Sequence, residues 1–208
     1  MVLKLITAPL WEPFSVDDAI EHLRAPEGFE TVMLARLIEV ARRYLDGRDG
    51  ILGRCLMPQT WEMVLDGWPS CDYIDVKLPP LQSITSIKYK DTAGTEATLA
   101  ASEYLVSVDR EPGRIQLAYG KSWPTVTLLP LDPIRIRFDA GYAAQTADQD
   151  AAREAVPAQF KQAMLLMIGT LQENREHLSD MDARNALPKR ITDVFDALLA
   201  PLRMWSFG

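Results

Sequence analysis

Chemistry-bearing side chains are few in this chain: two histidines, His22 and His177, and two cysteines, Cys55 and Cys71. Glu173 and His177 are four residues apart, so a helix puts them on one face with Glu176 nearby, a spacing that a metal site can use. The pattern then fails in detail. A zincin-like motif needs a histidine where Glu173 stands, and a di-iron pair needs a glutamate where Asn174 stands. The cluster reads as a solvated helix end. Cys55, between Arg54 and Leu56, has an adjacent charge but no local histidine signature, and no serine lies in a nucleophile elbow. Gly47, Gly50 and Gly53 form neither a dinucleotide fingerprint nor a phosphate loop with its lysine. The acidic pairs Asp17 with Asp18 and Asp180 with Asp182 fall at a helix start and in a loop, where capping and solvation account for them. No catalytic constellation, metal set or cofactor motif emerges, so a noncatalytic protein is expected. The alternative is a small hydrolase with a site assembled from distant residues, using Cys55 or the Glu173 to His177 cluster, or else a protein-binding module.

Apolar residues where a monomer does not need them are more informative. Met204, Trp205 and Phe207 lie beyond Pro201, past the last helical signal, and chain ends are poorly ordered unless they dock. Aromatic residues there fit either a partner or the chain's own core. Leu3, Leu5, Ile6, Leu10 and Trp11 near the start fit either an edge strand or contact with a neighbour.

The elements that position these residues run helix, strands, helix. Ser15 caps a short helix with Asp17 and Asp18 in its first turn and Val16, Ala19, Ile20 and Leu23 as its apolar face, ending by Pro26. A longer helix is predicted from Phe29 to Asp46, with Leu34, Leu37, Ile38, Ala41 and Leu45 at helical spacing and Gly47 as its stop. From Pro58 to Tyr142 the period becomes two. Trp61, Met63 and Leu65 alternate with Thr60, Glu62 and Val64, and Ile74, Val76 and Leu78 with Asp75 and Lys77. Further strands are expected over Ile84 to Lys90, Tyr104 to Val108, Arg114 to Tyr119 and Ile134 to Phe138; in the last, Arg135 and Arg137 mark a wet face. Ala143 to Ala155 has no apolar stripe and reads as a mobile connection. Pro157 opens a helix to about His177 carrying Phe160, Met164, Met167, Ile168 and Leu171. Thr192 caps a last short helix with Val194, Phe195, Leu198, Leu199 and Leu202.

The fold class expected is therefore α+β, a helical bundle of N- and C-terminal helices with an inserted antiparallel β section. The segments are 1–57, 58–142 and 143–208, the first and last packing together. With 208 residues, 48% hydrophobic and 25% charged, the chain can build a substantial core. The net charge of −7 opposes the counterion-releasing contacts of a nucleic-acid binder. Two cysteines are too few for a disulfide scaffold and read as reduced thiols in a cytoplasmic setting. No apolar run reaches the length of a membrane span, and no export signal is read at the start.

The wording and order of the segments carry a resemblance. PQTWEMVLDGWP, KLPPLQSITSIKYKDTAGT, PGRIQLAYGKSWP, IRFDAGY and VPAQFKQAMLLMIGTLQENRE together resemble the head-tail connector (adaptor) proteins of tailed bacteriophages, prophages and gene transfer agents, over roughly Leu3 to Arg203. In these phrases Trp61 and Tyr119 fit strand packing, and Gly67 and Gly113 fit turns. The resemblance implies a structural virion protein at the head-tail interface, assembled in the host cytoplasm. It would form a dodecameric ring of like copies under the portal protein and continue the DNA channel to a stopper or tail-completion protein. It implies no cofactor, no membrane contact and no specific DNA binding. It also implies a portal-binding C-terminal segment, here Leu198, Leu199, Leu202, Met204, Trp205 and Phe207. Contacts between copies are expected on the helix Phe29 to Asp46 and on the helix from Pro157. Acidic groups lining the bore would let DNA slide without sticking.

Overall fold

The computed structural model describes residues 1–24, 31–173 and 197–200. Its architecture is mixed α and β with antiparallel sheets. Strand β1 (Val2–Thr7) is followed by helices α1 (Val16–Leu23) and α2 (Thr31–Leu45). Seven strands come next: β2 (Gln59–Leu65), β3 (Tyr73–Val76), β4 (Leu81–Lys90), β5 (Glu96–Thr98), β6 (Tyr104–Ser107), β7 (Gly113–Leu117) and β8 (Ile134–Ala140). Helices α3 (Gln149–Ala155) and α4 (Ala158–Glu173) follow, with a helical turn at 197–199.

The strands form a five-stranded sheet in the order β1-β2-β8-β4-β5 and a three-stranded sheet in the order β3-β7-β6. Trp61 of β2 stands opposite Phe138 of β8, and Met63 opposite Ile136. These side chains share one buried cluster with Ile87 of β4, Ile74 and Val76 of β3 and Ile115 of β7, so the two sheets face each other across it. Gly113 sits where a Cβ would lie 2.5 Å from Leu81 Cβ, so its place is set by close approach between the sheets and not by a turn. The N-terminal segment is an edge strand, paired antiparallel with β2, and Leu3 reaches the sheet core.

A second cluster belongs to the helices. Leu34, Ile38, Ala41 and Leu45 of α2 meet Phe160, Ala163, Met164 and Ile168 of α4, with Ala19 of α1, Ala152 of α3 and Leu199 joining them. The first and last parts of the chain therefore share a core. Helix α1 starts as the sequence expects: Ser15 Oγ accepts the Asp18 N–H at 3.0 Å, and Asp18 Oδ2 accepts the Ser15 N–H at 2.7 Å. Those Ser15 hydrogen bonds hold the Asp18 carboxyl below its ordinary range.

Four expectations are corrected. Residues Ala143 to Ala155 are not a mobile connection: Asp148 caps α3 by accepting the Ala151 N–H at 2.8 Å, and Ala152 is fully buried. One buried alanine is enough to seat so short a helix, and it leaves no stripe to read. Tyr119 does not pack in a strand; β7 stops at Leu117 and the ring is fully exposed. Leu65 is only half-buried, whereas Glu62 and Val64 on the opposite face are buried, with Arg135 and Arg137 of the neighbouring β8 reaching over to Glu62 on that face. Strand β4 also begins three residues before Ile84, at Leu81, where register shifts against β8 break the alternation.

The two clusters are joined at the end of α2. Asp46 accepts the Leu56 N–H at 2.8 Å, Gln59 Nε2 at 2.9 Å and Arg42 Nη1 at 3.3 Å. Gln59 Oε1 accepts Trp61 Nε1 at 3.0 Å, and Arg42 Nε also donates to Glu12 at 2.8 Å. On the return path Gly141, at φ +133, lies where a Cβ would come within 2.6 Å of the Met57 carbonyl oxygen.

Asp46→Ala is expected to cost roughly 3 kcal/mol of stability in urea unfolding, because it leaves the buried Leu56 N–H and Gln59 amide without their acceptor and removes one of the two carboxylates facing Arg42. Asp46→Asn keeps an acceptor for Leu56 and should cost less. Asp18→Asn should lower stability at neutral pH, and its gap to the parent should close in a pH series as acid protonates the Asp18 carboxylate below its depressed folded value.

Candidate functional site

The geometry gives the chemistry-bearing residues structural work. Cys55 is 0% exposed inside the sheet cluster, and its N–H donates to the Pro79 carbonyl at 2.9 Å. Burial pushes its thiol well above the ordinary range, and the Asp46 carboxylate adds to the rise, which is the reverse of what a nucleophile needs. The neighbouring Arg54 does not activate it: Nη2 bonds Glu111 Oε2 at 2.6 Å and Nη1 bonds the Tyr142 hydroxyl. Cys71 is partly exposed, with Sγ donating to the Tyr73 carbonyl. His22 is exposed in the last turn of α1.

Glu173 is the final residue of α4, while Asn174, Glu176, His177, Asp180 and Asp182 lie outside the described residues. The Gly47 to Gly53 segment is a packed turn: the Ile51 and Leu52 N–H groups donate to the Tyr44 and Leu45 carbonyls, and Leu52 is buried. Among the described residues no group of three His, Cys, Asp or Glu side chains could hold a metal ion. No described helix is long and apolar enough to cross a membrane.

The wet face of the five-stranded sheet carries Arg135 and Arg137, as their alternation with Ile134, Ile136 and Phe138 predicts. Arg137 Nη2 reaches Glu62 at 3.0 Å, Arg135 Nη1 reaches the same carboxylate at 3.9 Å, and Lys88 reaches Glu96 at 2.8 Å. Asp139 accepts from Thr60 at 2.6 Å and from Ser83 at 3.0 Å. Such part-exposed pairs add little stability, typically about 0 to 1 kcal/mol each. Their consequence is electrostatic: these cations already face acids, so the sheet presents no uncompensated basic stripe to a phosphate backbone.

Surfaces remain as candidates. Of the six C-terminal residues singled out by sequence, Leu198 is half-buried and Leu199 is fully buried in the helical cluster. Leu202, Met204, Trp205 and Phe207 lie outside the described residues, as do Thr192, Val194 and Phe195. The two helices expected to meet neighbours differ. Helix α2 turns Val32, Val40 and Tyr44 outward on one stripe, with Ile51 exposed just past its end. Along α4 only Ala158, Gln159 and Gln162 are exposed among the described side chains, so its surface is mostly consumed by the core. Sequence reasoning gave no role to the buried Arg42, Asp46 and Gln59 set; a charged pair four residues apart at a helix end is too common a pattern to mark it.

No protein-family model and no curated protein matches the chain. Solved structures do. A chain in a structure described as the neck of an empty GTA particle computed with C6 symmetry superposes with a TM-score of 0.74 at 23% identity, covering 100% of this chain and 98% of that one. Chains from the virion of a native gene transfer agent (GTA) particle and from the neck of a native GTA particle computed with C12 symmetry each give 0.71, with the same identity and coverage. The chain thus has the fold of those neck and virion chains along its whole length.

Under native conditions iodoacetamide should label Cys71 and leave Cys55 unmodified until the protein is unfolded, as peptide mass spectrometry would read. Rapid native labelling of Cys55 would contradict its burial.

Proposed function

We propose that this chain is a structural head-tail connector: a noncatalytic adaptor that forms a ring under the portal and continues the DNA channel to the stopper or tail. The observation that carries the reading is the end-to-end likeness of its fold to chains in gene transfer agent necks solved with sixfold and twelvefold symmetry. The order of sequence phrases points the same way. In this reading the helices of 1–57 and 143–208 form one bundle, and 58–142 is a β section inserted into it, with β1 added to its edge.

Ring contacts would use the outward stripe of α2. Portal docking would fall to the C-terminal segment, with Leu199 anchoring it in the helical core and Leu198, Leu202, Met204, Trp205 and Phe207 available to the portal. A net charge of −7 on each copy disfavours adhesion of DNA moving through the bore.

Mixed with purified portal, the chain should add a symmetric ring visible by electron microscopy; its failure to bind portal would remove the reading. Deleting Met204 to Gly208 should leave filled heads without tails, while the isolated chain keeps its circular dichroism spectrum and melting temperature. Unchanged tail joining in that deletion would refute the docking role.

A further inference from the structure

We infer that neighbouring copies join by strand pairing, the free edge of β1 on one copy lying against the free edge of β6 on the next. The inference rests on the ring reading above and names the surfaces that close it. Among the described residues the two sheets have four edge strands, β1, β5, β3 and β6. An edge is a row of unpaired backbone donors and acceptors, and proteins normally blunt it with charge, proline or brevity.

Two of the four are blunted here. β5 is three residues long, and its Glu96 is tied to Lys88 at 2.8 Å. β3 is covered by charge: Asp75 binds Arg114 at 2.7 Å, and that guanidinium lies 3.7 Å over the Tyr73 ring. The other two keep more apolar surface, although β1 also carries Lys4 and a register shift against β2 between Leu5 and Thr7. β1 exposes Val2 on one face and Leu5, at 47%, on the other, with Ile6 exposed at the register shift. β6 does the same with adjacent Leu105, at 63%, and Val106. A half-buried edge strand needs apolar residues on one face only, whereas apolar residues on both faces are the pattern of a strand flanked and covered on each side.

The two edges also differ from each other, which decides the occupant. A closed ring is built from heterologous contacts, in which one patch meets a different patch on the next copy. One donor edge and one acceptor edge per chain satisfy that count and leave none over when the ring closes. Charge agrees at one position: Lys4 is the one charged residue of β1, while Asp109 follows β6 by two residues; Glu103, just before β6, is already paired with Lys121 at 3.0 Å. Exposed Leu10 and Trp11 extend the β1 surface and give the incoming copy an apolar shoulder beside Pro58 and Ala147.

The test uses full-length chains in a Cys71→Ser background, one carrying Ile6→Cys and the other Leu105→Cys, assembled on portal and treated with a short bismaleimide. The mixture should give cross-linked pairs, and each chain alone should give none. Rings that form without cross-links overturn the edge pairing while the ring reading stands, as when a portal or stopper strand occupies β1. Cross-links from the Ile6→Cys chain alone show two-fold pairing of β1 with itself and overturn it too. Absence of any ring removes both. In a second arm, Leu5→Lys with Ile6→Lys should keep the circular dichroism spectrum and lose ring formation; intact rings would overturn the inference.

Discussion

A single buried carboxylate holds the helical and sheet clusters in one arrangement. Asp46 ends α2, and its oxygens receive the Leu56 N–H, the Gln59 amide and the Arg42 guanidinium. Gln59 passes the constraint to Trp61 in the sheet core, and Arg42 passes it to Glu12 in the segment between β1 and α1. Burial pushes the Asp46 carboxyl above its ordinary range, and the donors around it pull the other way. Burial likewise opposes the Arg42 charge, but Glu12 and Asp46 hold its proton more tightly than usual. Groups this deeply placed are tolerated only with partners, so each fixes the position of the next. Hydrophobic burial supplies most of the stability, but it is non-directional. The polar set is what gives the junction a direction.

That junction also sets the surroundings of Arg54 and Cys55. Arg54 is bridged to Asp46 and its guanidinium is committed to Glu111 and Tyr142, while burial and the Asp46 carboxylate push the Cys55 thiol up. The wet face of the larger sheet neutralises its own charges, whereas the outer stripe of α2 and two strand edges leave apolar groups in water.

Much of this was legible in the sequence where a side-chain period was long enough to read. The period of α2 marked Leu34, Ile38, Ala41 and Leu45 as buried but not Arg42, and the alternation of β8 marked Ile134, Ile136 and Phe138. Elements too short for a period were not legible: α3 has one buried alanine, and β5 has three residues. Val64 could not be read as buried, because alternation marks only one covered face, and cover on the other comes from long side chains of the next strand, Arg135 and Arg137, whose registry with β2 the sequence does not show. Tyr119 shows the converse limit. An aromatic residue at the end of an alternating run looks like core, yet the strand stops two residues earlier. For the candidate surfaces, sequence marked the N-terminal apolar run as strand or contact, and its first part is an edge strand with Leu3 in the sheet core and Leu5 and Ile6 exposed. The β6 edge went unread, since exposure at Leu105 depends on which strand stands last in its sheet.

Gly141 has a further consequence for how such a molecule can change over time. Its contact with Met57 puts the points where the chain leaves and rejoins the helices side by side, like the two ends of a clasp. What is threaded between them could be altered without moving the helices wherever the ladder to β1, the Asp46–Gln59 bond and the Arg54–Glu111 pair were kept. A lineage could therefore refit the sheet half of the molecule to new neighbours while its helical half stayed unaltered.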